Sequence, residues 1–203
     1  LGALYFLVAS GLSLIYGLMG VLNFAHGSFL TVGAFVGFWL ARTLGPDTSM
    51  PEFILAMIIG GLAAGAFALL VEQLLITRLY DRHIDQALVT VGVSLVVGAV
   101  LGGWFTNDLQ IFPTPLWFYT AINVGGAMIP ADRIVYIATA VLLLIGNWAL
   151  LKFTRIGLII RAGVENRHMV NALGVNVRLA FSTVFFLGGF VAGVGGVLVS
   201  VYS

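Results

Sequence analysis

Residues 1–41 read LGALYFLVASGLSLIYGLMGVLNFAHGSFLTVGAFVGFWLA, with no Asp, Glu, Lys or Arg, yet Asn23 and His26 interrupt the apolar run. As a single helix the stretch would measure roughly 60 Å, about twice the apolar thickness of a bilayer. It therefore divides into two spans joined at Asn23-Phe24-Ala25-His26-Gly27, with almost no room for a loop. Polar groups at such a join line a water-filled path or a protein contact, because facing lipid they would cost several kcal/mol. Asn23 and His26 are accordingly the substrate-path candidates. The competing reading is that they hold the turn, His26 being neutral and bonded to a carbonyl.

Working outward, 61% of the chain is hydrophobic and 8% charged, with mean hydropathy +1.11. A soluble domain carries about 25% charged residues, so a soluble fold is excluded. Further apolar runs at 53–76, 87–105, 134–151 and 179–201 bring the expectation to about six apolar helices in one all-α polytopic transmembrane bundle spanning 1–203. The run 27–41 is short and could continue the first through a break. Glycine is 26 of 203 residues, about twice the usual share near 7%. Gly33/Gly37, Gly61/Gly65, Gly98/Gly102 and Gly189/Gly193 are spaced so that helix backbones can approach closely in lipid.

The nine basic residues orient the chain. Arg78 and Arg82 fall in 77–86, and Lys152, Arg155, Arg161, Arg167 and Arg178 in 152–178, against Arg42 and Arg133 in the alternate loops. Positive loops face the cytoplasm. The N-terminus then faces outward, and 106–133, rich in Pro, Gly and aromatics, is an outer surface loop anchored by its rings or contacting a partner. The run starts at Leu1 and stops at Ser203 as an apolar stretch ends, which is expected of a fragment lacking C-terminal spans.

Long loops without structure are uncommon, so 152–178 is expected to fold. Gly163 and Gly174 bracket a helix in which Met169, Ala172 and Leu173 share a face. Glu165 and Asn166 would begin its first turn, and Gly174 would supply a left-handed stop. Such a helix lies on the bilayer surface or in the groove of a partner. Glu72 is expected to pair with Arg78 or to snorkel, in preference to relaying protons, and Asp85 to cap the following helix. Ser10, Ser13, Thr90 and Ser94 are expected to bond back to their own helices. No metal-ligand spacing, catalytic constellation or phosphate-binding loop is present, so the sequence predicts no enzyme, no metal and no cofactor on this chain.

Several segments resemble the permease subunits of branched-chain amino acid ABC importers. They are Gly11-Leu12-Ser13-Leu14-Ile15-Tyr16-Gly17, Asn23-Phe24-Ala25-His26-Gly27, Glu72 with Arg78, Thr154-Arg155-Ile156-Gly157, Ala172-Leu173-Gly174-Val175-Asn176 and Ala192-Gly193-Val194-Gly195-Gly196. The resemblance implies a multi-pass permease of a bacterial or archaeal plasma (inner) membrane, moving branched-chain or related amino acids inward. It implies a second permease subunit, two cytoplasmic ATPase subunits that bind the ATP, and a periplasmic substrate-binding protein; no nucleic acid is involved. It places a coupling helix in 152–178, with Arg161, Glu165, Asn166, Met169, Ala172, Leu173 and Gly174 as the ATPase-coupling candidates. Gly157-Leu158-Ile159 and Glu165-Asn166 depart from the family's usual Gly-Arg-Ala and Glu-Asp. The alternatives are a urea or short-amide permease of the same family, or an ion-coupled secondary transporter, against which the lack of a mid-run carboxylate counts.

Overall fold

A computed structural model describes residues 1–45, 48–80, 82–105, 111–124, 126–165, 167–174 and 176–202. Each expected span is a helix: α1 Gly2–Met19, α2 His26–Leu44, α3 Met50–Leu74, α4 His83–Phe105, α5 Ala131–Phe153 and, after two shorter helices, α8 Val177–Tyr202. All six are long and apolar enough to cross a membrane, α3 being extended by the 3-10 turn Ile76–Leu79. The shorter helices are α6 Arg155–Glu165 and α7 Arg167–Ala172. This is an all-α polytopic bundle.

Two expectations about the ends change. The run 27–41 is a separate helix that continues to Leu44, where Arg42 in the last turn suits the negative end of the helix dipole. Asp85 does not cap α4, which already starts at His83; it lies in the first turn, 3.7 Å from exposed Arg82. The start of α3 is fixed locally, since the Glu52 carboxylate accepts from both Ser49 N and Ser49 Oγ at 2.7 Å.

Helix α8 is the axis of the bundle, with α1, α2 and α3 packed around it. Ile15 of α1 meets Gly188 and Leu7 meets Gly195, while Gly61 of α3 meets Val194 and Gly65 meets Phe186, so α1 and α3 both run antiparallel to α8. Glycine makes these approaches possible. A Cβ on Gly33 would fall on the backbone of Gly193, one on Gly196 on the carbonyl of Leu30, and one on Gly189 2.8 Å from the Ala64 carbonyl. Three of the four spaced glycine pairs thus line helix contacts. Gly98 and Gly102 do not, because α4 stands at the periphery with Leu88, Leu95, Val96, Val100 and Trp104 exposed.

The connection between α4 and α5 is more structured than the expected surface loop. Phe112 and Phe118 are buried against Phe53 of α3, the Phe53–Phe118 rings meeting edge to face at 5.0 Å. Beyond the 3-10 turn Leu116–Tyr119, strands β1 Ala121–Val124 and β2 Ala127–Pro130 pair antiparallel in a hairpin that turns through Gly126, φ +92°. The rings therefore anchor the segment to the protein core.

Candidate functional site

The break between α1 and α2 is built from short-range chemistry. Gly20 ends α1 in the left-handed conformation, φ +66°, its N–H bonding to the Tyr16 carbonyl at 2.8 Å. The chain then runs without helix through Val21, Asn23 and Ala25, all buried, to the first residue of α2, His26. Asn23 Oδ1 accepts from Ala25 N at 3.0 Å, an Asx turn that organises the entry into α2. The Phe24 amide donates to Thr90 Oγ1 of α4 at 3.1 Å. Thr90 does bond back to its own helix, at the Gln86 carbonyl, but its oxygen also serves the break.

His26 fixes the depth of this segment. Its Nε2 lies 2.8 Å from the Val8 carbonyl. A carbonyl only accepts, so Nε2 carries the hydrogen. Val8 precedes the end of α1 at Met19 by roughly 16 Å of helix. The non-helical segment must therefore climb back into the bundle, a distance that its few residues cover at about 3.3 Å each. The break thus starts at the end of α1, and its far end at His26 lies within the span of α1. Non-helical backbone is tolerated at that depth only where protein or a water-lined cavity satisfies it. Among the described residues, two buried atoms in the break have no hydrogen-bond partner: the donor Asn23 Nδ2 and His26 Nδ1.

The 152–178 segment packs beside the end of α1, where Leu14, Leu18 and Met19 meet the cluster around Ile160. Thr154 makes the corner after α5: its hydroxyl donates to the Leu150 carbonyl at 2.6 Å and accepts from Gly157 N at 3.0 Å. A Cβ on Gly157 would lie 2.5 Å from the Leu150 carbonyl, so glycine permits the sharp bend. One side of α6 and α7 is docked on the bundle. Ile160 is buried with Ala180 and Val184, and Val170 with Val177 and Phe181. Asn176 Oδ1 caps α8 by accepting from the amides of Arg178 and Leu179 at 3.1 and 3.3 Å.

The expected coupling helix does not start where its glycine bracket places it. Glu165 does not begin a helix; it lies within α6, which already starts ten residues earlier at Arg155. Gly163 is no bracket either, since it is the point at which α6 passes under Val177, whose Cγ1 would be 2.9 Å from an added Cβ. Gly174 does take the left-handed conformation after α7, φ +79°. Arg161, Glu165, Met169, Ala172, Leu173 and Gly174 are all exposed on the side away from the bundle, Leu173 at 75% and Met169 at 63%. Asn166 lies outside the described residues.

Glu72 departs most from expectation. It is fully buried at the end of α3, and hydroxyl groups surround it in place of Arg78, which is exposed. Tyr80 Oη donates to Oε1 at 2.6 Å, Ser182 Oγ of α8 to Oε2 at 2.7 Å, and Thr77 Oγ1 lies 3.1 Å from Oε1. Sequence reasoning could not pair these groups, because Ser182 is far along the chain and all three donors are common residues.

Comparison with known proteins bears on the whole arrangement. The profile of a family described as "Branched-chain amino acid transport system / permease component" matches residues 1–203. A protein of Methanocaldococcus jannaschii named as a probable branched-chain amino acid transport permease, LivH, is 30% identical over 94% of this chain. The high-affinity branched-chain amino acid permease proteins LivH of Salmonella typhimurium and BraD of Pseudomonas aeruginosa are 26% and 27% identical over 98% and 97% of it. The chain spans 60% of the length of the first of these relatives, and 67% and 66% of the other two. No solved structure matches the chain.

Proposed function

The chain belongs to the family of permease components of branched-chain amino acid transport systems, and on that premise we propose that it forms part of the substrate path of an ABC importer. In this reading it works in a bacterial or archaeal plasma membrane, beside a second permease subunit. A periplasmic binding protein delivers a branched-chain or related amino acid, and two cytoplasmic ATPase subunits bind and hydrolyse the ATP. The permease itself carries out no covalent chemistry.

The observation that carries this reading is the divided surface of α6 and α7. Ile160, Gly163 and Val170 hold the pair against α8, while Val164, Met169 and Leu173 stay exposed beside Arg161 and Glu165. Exposed apolar groups rimmed by charge suit a protein groove. An ATPase seated there would move α6 and α7 with its own closure. The loop transmits work only if it binds the open and closed ATPase pair unequally.

Asn23 and His26 complete the reading at mid-bundle. Each uses one polar atom to hold the break, and the remaining Asn23 Nδ2 and His26 Nδ1, buried without a described partner, would serve as donor and acceptor for a solute or its water. An apolar amino-acid side chain needs few polar contacts, so two suffice.

The test is co-purification. Tagged protein, expressed with its genomic neighbours, should retain an ATPase subunit in detergent. Leu173→Arg should abolish that retention while the permease still inserts, because the substitution places charge in the apolar part of the contact. An ATPase that stays bound to the Leu173→Arg protein would remove α7 from the interface.

A further inference from the structure

Among the described residues no ion pair reaches Glu72, and an acidic side chain without one is expensive to bury. At Glu72 the expense has a geometric correlate, because its three hydroxyl partners come from separate places: Thr77 and Tyr80 from the turn after α3, and Ser182 from α8. A leucine would fill the same space, yet it would tie none of these segments together. Glu72 also lies outside everything assigned so far to the substrate path and the ATPase contact.

The partners of Glu72 lead directly to the cytoplasmic helices. The Tyr80 ring packs on Phe181 with centroids 5.9 Å apart. Phe181 and Val177 cover Gly163 of α6, and both are buried with Val170 of α7. Met19, at the end of α1 where the break starts, joins the same cluster together with Tyr80. Beside it a cavity of about 530 Å³ is lined by Tyr16, Met19, Gly20, Tyr80, Val164 and Phe181. Gly163 has no clearance beneath Val177, so α6 cannot move toward α8 without displacing it. The cavity leaves room for Tyr80 and Phe181 to shift sideways.

We propose that Glu72 is a positioning residue: its hydroxyl cage is the joint through which displacement of α6 and α7 reaches α3, α8 and the break. This rests on the ATPase-driven reading above. Tyr80 is the moving part, bonded to Glu72 through its hydroxyl and packed at a tilt against Phe181 through its ring. Ser182 fixes the other carboxylate oxygen to α8, so that α3 and α8 move together. With the cage weakened, ATPase closure still moves α6 and α7, but the bundle no longer follows.

The experiment uses the complete transporter, full-length permease with its ATPase subunits and binding protein, reconstituted in vesicles. ATP hydrolysis and uptake of radiolabelled leucine are measured on the same preparation for wild type, Tyr80→Phe, Ser182→Ala and Glu72→Gln. Tyr80→Phe keeps the ring on Phe181 and removes only the bond to the carboxylate. The expected result is a complex that stays assembled and hydrolyses ATP near the wild-type rate, while leucine taken up per ATP falls about five-fold or more, the lower range of coupling between sites. A purely structural role predicts something else: assembly, hydrolysis and uptake fall together, or none changes. Either pattern in Tyr80→Phe and Ser182→Ala overturns the proposal, whether or not Glu72→Gln folds. A wild-type complex without ATP-driven uptake overturns the ATPase reading and the joint with it, and is told apart because the failure is already present before any substitution.

Discussion

The Asn23 side chain does two separable things. Its oxygen accepts from Ala25 N and organises the start of α2, while its Nδ2 is buried without a described partner. Serine at this position keeps an oxygen acceptor and loses the amide N–H; alanine loses both. Loss of such a local bond typically costs about 1 kcal/mol, which for a chain of this size lowers the melting temperature by roughly 2–4 °C. Asn23→Ala should therefore melt lower in detergent, and Asn23→Ser close to wild type. If Nδ2 meets the solute, Asn23→Ser should nevertheless raise the KM of uptake in the assembled transporter. An unchanged KM would leave Asn23 with the turn alone. The polar character of the break was legible in the sequence because Asn and His are conspicuous in an uncharged run. The service that Thr90 renders to Phe24 was not, since a helical threonine has its own helix as the default partner.

At the scale of elements, the glycines separate packed helices from peripheral ones. A Cβ on Gly33 would collide with the backbone of Gly193, which has no flexible end to move aside, whereas Gly102 meets nothing. Gly33→Val should cost at least the ~1–3 kcal/mol typical of overpacking, seen as loss of the monodisperse peak after mild heating in detergent. Gly102→Val should leave that peak in place. Equal behaviour of the two variants would contradict the central position of α8. The spans themselves were readable because a bilayer fixes their length and composition together. The 152–178 segment was harder to read. Glycine at 163 is ambiguous between a helix stop and a close approach, and only the neighbour Val177 decides it. The hairpin 121–130 carries too few residues for a periodic signal, and its order depends on the burial of Phe112 and Phe118 against α3.

For the whole molecule, orientation decides whether the separate readings fit together. Seven of the nine basic residues lie in 77–86 and 152–178, which the even number of spans between them places on one side of the membrane. Positive charge is retained in the cytoplasm during insertion, so α6, α7 and the Glu72 joint should face inward and the β-hairpin outward. Residues 1–203 contain no cysteine, so a single cysteine introduced among them is read against the unsubstituted protein labelled in parallel. His83→Cys and Leu173→Cys should be shielded from a membrane-impermeant maleimide in intact cells and labelled after lysis. Ile111→Cys and Met128→Cys, exposed at 82% and 78%, should label from outside. The reverse pattern would place the exposed face of α6 and α7 where no ATP-hydrolysing subunit can reach it, and the coupling role would fail however well the packing fits. With the expected pattern, the distances become meaningful in sequence. An ATPase contact at Leu173 lies on the same side as Tyr80 and Glu72, and the break at His26 lies further in, reached through Met19 and Gly20. Movement entering at the cytoplasmic face would then meet the joint before it meets the substrate path, which is the order an inward-driving machine requires.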